Sequence, residues 1–250
     1  DKLENIISIY VIGKRPSGSS DPFAIRRNLN GIIQIIWSFN FNFKVDFFID
    51  KLLNYWNETI ENLNFDLEDV STDLLDFTSQ RIISHLYDSY DDKNSIKAIA
   101  ESDHIPNKKI FDISDLKKRF DLIRYLRNKD NFEEIRQIIS RLSKLSQKGE
   151  LDKVTLSSEG LIDKRLFEKD CEKDVFSLIK KLERLSFSEE IEYEEIIILF
   201  ENNLKEIANL FDPNLGVLIM SEDENVRNNR LNLLGILRNY SLLIADFTLI

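Results

Sequence analysis

Only seven glycines and four prolines are spread over this chain of 250 residues. So few turn formers cannot close the many tight reversals of a sheet protein, and the prediction is long helices with few breaks. The apolar positions agree. Ile25, Leu29, Ile32, Ile33 and Ile36 recur at helical spacing, as do Leu67, Val70, Leu74, Leu75, Phe77, Ile82 and Leu86. Val226, Leu233, Leu234, Leu237 and Ile244 continue the pattern near the end. Few segments alternate as strands do. The expected class is all-α, with helices over 44–60, 67–88, 114–127, 131–147, 165–186, 191–209 and 221–247. The polar stretch 146–160, with two glycines and no helical period, reads as a linker.

A hydrophobic content of 42% excludes a disordered chain and suffices for a sizeable core. The single cysteine, Cys171, excludes a disulfide framework and a cysteine zinc site, and suits a reducing cytoplasm. No signal-peptide start and no apolar run near 18 residues is present, so neither secretion nor a membrane span is expected. The helical pattern is already under way at Asp1, so the chain reads as a piece of something longer. A net charge of −10 speaks against a protein that grips nucleic acid by bulk positive charge. The distribution reverses that locally: residues 104–155 carry 13 basic groups against eight acidic ones. That region is either a solvated helix surface or a phosphate-facing patch.

The segment "SGSSDPFAIRR" (17–27) poses the question of a phosphate loop. Gly13 to Gly18 has the first glycine spacing of a Walker loop, but Ser19-Ser20 stand where Lys-Ser is needed. Asp21 would also repel an anion there. The better reading is a helix start, with Asp21 as N-cap and Pro22 at the first helical position. An auxiliary anion contact by Lys14, Arg15 or the Ser19 and Ser20 amides stays open.

His85 and His104 are the only histidines, and neither has a metal-ligand partner at helical spacing. Cys171 lacks a nearby base, and no nucleophile elbow occurs. Glu189, Glu190, Glu192, Glu194 and Glu195 suit a solvated helix N-terminus rather than a carboxylate site. No self-sufficient catalytic or metal site is therefore expected.

The last helix, opened by a Ser221–Glu224 capping box, carries the strongest polar signal. Arg227 and Arg230 lie three residues apart with Asn229 between them, and Arg238 follows two turns beyond Arg230. Spacing alone allows a solvated basic stripe or an RNA-facing one.

Two stretches resemble a known family, the β subunit of the two-subunit bacterial-type glycyl-tRNA synthetase. One is "DKLENIISIYVIGKRPSGSSDPFAIRR" (1–27); the other is "LFDPNLGVLIMSEDENVRNNRLNLLGILRNYSLLIADFTLI" (210–250). "LLDFTSQRIISHL", "RLSKLSQ" and "LFEKDCEKDVFSLI" lie between them in the family's order. The resemblance implies the tail of an HD-type helical domain at 1–66, with Asp1 at the place of that fold's last ligand aspartate. It implies a helical body with a basic patch at 67–150, and a helical-bundle anticodon-binding domain at 151–250.

The implied function is recruitment of tRNA(Gly) without catalysis in this chain. A separate α subunit would hold ATP, magnesium and glycine in a cytoplasmic heterotetramer, so no cofactor is expected here. The resemblance implies Arg227, Asn229 and Arg230 as tRNA-binding residues; helical spacing adds Arg238, and the basic region adds Lys117, Lys118, Arg119 and Arg124. Two rivals stand beside this reading: a truncated HD-type phosphohydrolase, and a purely structural helical scaffold for a partner subunit.

Overall fold

The computed structural model describes residues 1–16, 21–60, 64–105, 110–185 and 191–250. Among them the chain is helical without a strand; one isolated antiparallel bridge joins Lys44 to Asp112. The class read from the spacing of apolar residues is the one observed. The chain divides into two compact units, Asp1–Ile96 with Pro106–Phe120, and Lys97–Ile105 with Asp121–Ile250.

The first unit holds α1 (Lys2–Val11), α2 (Ile25–Phe39), α3 (Val45–Thr59), α4 (Leu67–Ser89) and the short α5 (Lys93–Ile96). Each long helix buries one side. Ile6, Ile7 and Tyr10 of α1 meet Ile25, Leu29, Ile33 and Ile36 of α2, and Val70, Leu74, Ile82 and Leu86 of α4 complete the core with α3's Ile49 and Leu53. The three- and four-residue steps place these side chains on one stripe, which is why the spacing foretold those of α2 and α4.

The start of α2 corrects the expected cap. The helix opens at Ile25, three residues after Pro22, because residues 21–24 form a turn closed by the Ala24 amide donating to the Asp21 carbonyl (3.0 Å). Asp21 still serves the helix end: its carboxylate accepts from the amides of Ile25 (2.8 Å) and Arg26 (3.1 Å). Ser17 to Ser20, where the phosphate-loop question was posed, lie outside the described residues. Arg15 does not offer itself to an anion; it pairs with Asp73 (2.7 Å) and lies over the Tyr10 ring. His85 is half-buried edge-on to Trp37, and burial lowers its pKa.

Helix α6 (Ile113–Arg127) begins in the first unit and ends in the second. The second unit adds α7 (Phe132–Ser146), α8 (Asp170–Leu185), α9 (Tyr193–Asn202), α10 (Leu204–Asn209) and α11 (Glu224–Leu242). Its centre is α11, which packs against both α7 and α8. A π-helical turn at Lys97–Glu101 leaves the Ala98 carbonyl outside the regular ladder, and the Asp246 amide donates to it (2.9 Å). The Asp246 carboxylate is buried and accepts from the Ser102 hydroxyl (2.8 Å) and from Thr248, while His104 Nδ1 lies 2.8 Å away.

Candidate nucleic-acid interface

Helix α11 is where the sequence places the polar stripe, and it begins with a different cap from the expected one. Asp223, not Ser221, is the N-cap, its carboxylate accepting from the amides of Asn225 (2.8 Å) and Val226 (3.1 Å). Ser221 lies further upstream and accepts from Arg227 Nη1 through its carbonyl (3.0 Å). The helix is buried nearly all round from Asn229 onward. A helix wrapped on every side has no solvated stripe, so its polar residues must find partners inside.

Arg230 does so completely. Its Nε donates to Glu172 Oε1 (2.9 Å), one Nη to Glu168 Oε2 (2.6 Å) and the other to the Leu218 carbonyl (3.1 Å). Glu172 is fully buried, and its second oxygen accepts from the amides of Glu168 and Lys169 at the head of α8. One carboxylate thus caps α8 and neutralises a guanidinium. Burial works against the charge on Arg230, but its bonds to Glu172 and Glu168 outweigh this and raise its pKa.

Arg238 is equally enclosed. It donates to Asn239 Oδ1, Ser146 Oγ and the carbonyls of Leu151 and Asp152, and burial lowers its pKa. Asn239 donates to the carbonyls of Asp152 (3.0 Å) and Thr155 (2.7 Å). Asn229 forms a reciprocal pair with the backbone of Asp163, accepting at 2.7 Å and donating at 3.2 Å, and Asn232 donates to the Leu161 carbonyl.

Residues 151–163, which overlap the stretch 146–160 read from sequence as a linker, are therefore a strap tied to α11 at both ends. Between the ties Gly235 lets Leu151 lie against the helix: a Cβ there would meet Leu151 Cδ2 at 2.8 Å. The polar composition that suggested a free linker is what supplies backbone carbonyls to the arginine and the asparagines.

The expectation that Asn229, Arg230 and Arg238 face RNA is corrected on these observations: all three are buried and their polar atoms are committed within the unit. Arg119 is corrected likewise, being fully buried with its Nε donating to Asp115 (2.7 Å). Arg227 is half-exposed, Lys117 is half-buried, and Lys118 and Arg124 are exposed.

Alongside the N-terminal half of α11 runs an open groove of about 600 Å³. Leu161, Ile162 and Leu166 contribute apolar surface, and Asn225 and Asn228 present exposed carboxamides at its edge. Apolar surface beside amide donors and acceptors suits the face and edge of an unpaired base.

Cys171 is buried in α8, and burial pushes its thiol pKa up, the reverse of an activated nucleophile. Glu192, Glu194 and Glu195 are exposed at the start of α9, whereas Glu189 and Glu190 lie outside the described residues. Among the described residues no three His, Cys, Asp or Glu side chains gather to hold a metal ion, and no helix is long and apolar enough to cross a membrane.

The family model of the glycyl-tRNA synthetase beta subunit matches residues 1–101. A glycine–tRNA ligase beta subunit from Gloeothece citriformis is 32% identical over 254 residues, covering 99% of this chain and 35% of that protein. Its counterpart from Acaryochloris marina is 29% identical over 255 residues, with 99% and 35% covered. That from Thermodesulfovibrio yellowstonii is 31% identical over 251 residues, with 99% and 33% covered. The chain spans about a third of the length of the curated relatives it matches. The resemblance implied by the two motif segments thus extends over essentially the whole chain.

Proposed function

We propose that this chain, similar along its length to glycyl-tRNA synthetase β subunits, is a tRNA-engaging and non-catalytic part of such a subunit. It supports the ATP-dependent attachment of glycine to tRNA(Gly) by a cytoplasmic holoenzyme. A separate α subunit supplies the ATP, magnesium and glycine site, and the two kinds of chain form a heterotetramer. Residues 1–66 act as the tail of an HD-like domain, 67–150 as a helical body, and 151–250 as an anticodon-binding-like domain. The observation that carries this reading is similarity covering 99% of the chain to proteins named as glycine–tRNA ligase beta subunits.

Within it, Arg227, Lys117, Lys118 and Arg124 meet RNA directly. Asn229, Arg230, Arg238 and Arg119 act through packing, because side chains this deeply buried cannot reach a phosphate in solvent. That division favours a second reading in one respect: the buried arginines alone are what a structural scaffold would need.

Titration of the protein, with any subunit that accompanies it, against tRNA(Gly) separates the two. Saturable binding that weakens with salt is expected. Charge reversal of Lys117 and Lys118, with Arg227→Ala, should weaken it further. A protein that co-purifies with a partner subunit, yet shows no tRNA affinity at low salt, would be a scaffold.

A further inference from the structure

The burial of Arg230 and Arg238 leaves Arg227 as the one α11 arginine near solvent, and α7 offers a second cationic surface in the same unit. This helix buries Ile135, Ile139 and Leu142, so its opposite face is solvated. On that face, in its C-terminal half and the turn beyond, stand Arg141, Lys144 and Lys148. Arg141 and Lys144, three residues apart, stand within about 60° of one another on the helix, and Lys148 follows in the turn just past its end at Ser146. All three are exposed, and none has a carboxylate within ion-pair distance among the described residues.

The contrast with the first turn of the same helix is sharp. There Arg136 is neutralised by Glu133 three residues earlier. Glu134 is exposed at the same end and marks where the basic stretch stops. The nearest acid on the strap, Asp152, is occupied with the amides of Val154 and Thr155 and the Thr155 hydroxyl. Arg141 is also held in place: its guanidinium lies 4.5 Å over the Phe211 ring, which fixes its plane without consuming its N–H donors. Three uncompensated cations at a helix C-terminus are stabilised by the helix dipole, so the cluster costs the fold little.

We infer that Arg141, Lys144 and Lys148 form a track for the sugar–phosphate backbone of an RNA strand. The inference rests on the reading of the chain as tRNA-engaging, and supplies the surface that the buried arginines do not. Each of the three cations can neutralise one backbone phosphate of a strand laid along the row. The contact positions the RNA and reads no sequence.

The test uses the protein together with any subunit that accompanies it, and compares it with a triple variant, Arg141→Gln, Lys144→Gln and Lys148→Gln. Binding of tRNA(Gly) and of an unrelated tRNA is followed over a salt series. At about 0.7 to 0.9 per phosphate, the slope of log affinity against log salt should fall by about two to three in magnitude, equally for both RNAs. A charge-keeping variant, Lys144→Arg with Lys148→Arg, should retain the slope. If the parent protein binds tRNA and the triple variant keeps its slope, the track is refuted while the tRNA-binding reading survives. Loss of a co-purifying subunit with an unchanged RNA slope would make the stripe a protein contact and overturn the inference. A parent protein without tRNA affinity removes the reading beneath it.

Discussion

Helices α7 and α11 lie side by side in the second unit, and both carry arginines at helical spacing, yet they use them in opposite ways. On α11 the guanidinium groups of Arg230 and Arg238 are enclosed and saturated by Glu172, Glu168 and strap carbonyls. On α7 and the turn after it, Arg141, Lys144 and Lys148 are exposed and form no ion pair among the described residues. Spacing decides which side of a helix a residue occupies; what covers that side is decided by the elements packed against it. The central helix turns cations into internal ties, and the peripheral helix leaves them available.

Substitution at Arg230 is the harshest way to break this contrast. Arg230→Ala leaves the buried Glu172 without its cation, and removing one partner of a buried pair costs about 3–5 kcal/mol. The exposed Arg141→Ala should cost less than about 0.5 kcal/mol. Urea midpoints of the two variants measure the difference. Equal midpoints would show that the Arg230–Glu172 pair does not hold α11 and α8 together.

Next in size is Gly216→Ala. The turn holding Gly216 also supplies the Leu218 carbonyl to Arg230, and Lys169 donates to the Gly216 carbonyl. A Cβ would stand 2.5 Å from the Leu210 carbonyl oxygen and 2.6 Å from that of Asp212. Backbone oxygens cannot swing aside, so about 1–3 kcal/mol is expected, read from the same urea curves. A neutral result would mean that this turn shifts freely and that Arg230 is not anchored through it.

Asn239→Ala sharpens the comparison at the strap. It removes the donors to the Asp152 and Thr155 carbonyls at a cost of about 1–2 kcal/mol. The local consequence is more telling than the global one. Lys153 lies between those carbonyls, and trypsin should cut after it faster in the variant. Unchanged cleavage would restore the free linker that the composition of residues 146–160 suggests.

Much of this was legible before any coordinates. The apolar steps of α2, α4 and α11 named their buried residues because a helix core needs one stripe, and one stripe leaves a period. Ile32 of α2 and Leu67, Leu75 and Phe77 of α4, at the edges of their stripes, are only half-buried. The fate of the polar residues was not legible, since Arg230 requires Glu172, 58 residues away, and Asn229 requires Asp163, 66 residues away. The caps failed for a local reason: Asp223 and Ser221 are both good N-caps, and a pattern match chose the one that brought a glutamate with it. One signal was available. Leu231, Leu233, Leu234, Ile236 and Leu237 fill more than one side of a helix, and a helix apolar all round is buried, arginines included.

The smallest expected effect concerns pH, and extends the comparison just past the end of α11. Burial alone would raise the pKa of Asp246, but bonds from Thr248 and Ser102 and the neighbouring His104 outweigh it, holding the carboxyl below the usual range. A carboxyl that binds its proton less tightly when folded stabilises the fold above its unfolded pKa, about 4. That contribution disappears as pH falls through the lower folded value, because the unfolded chain then takes up the proton first. Asp246→Asn keeps the shape but not the charge, so its stability should decline less steeply than the parent's below about pH 4. Stability measured by urea at a series of pH values gives both acid limbs. Parallel limbs would mean that the Asp246 cluster is held by shape alone, and that the buried charges gathered around α11 end with the helix itself.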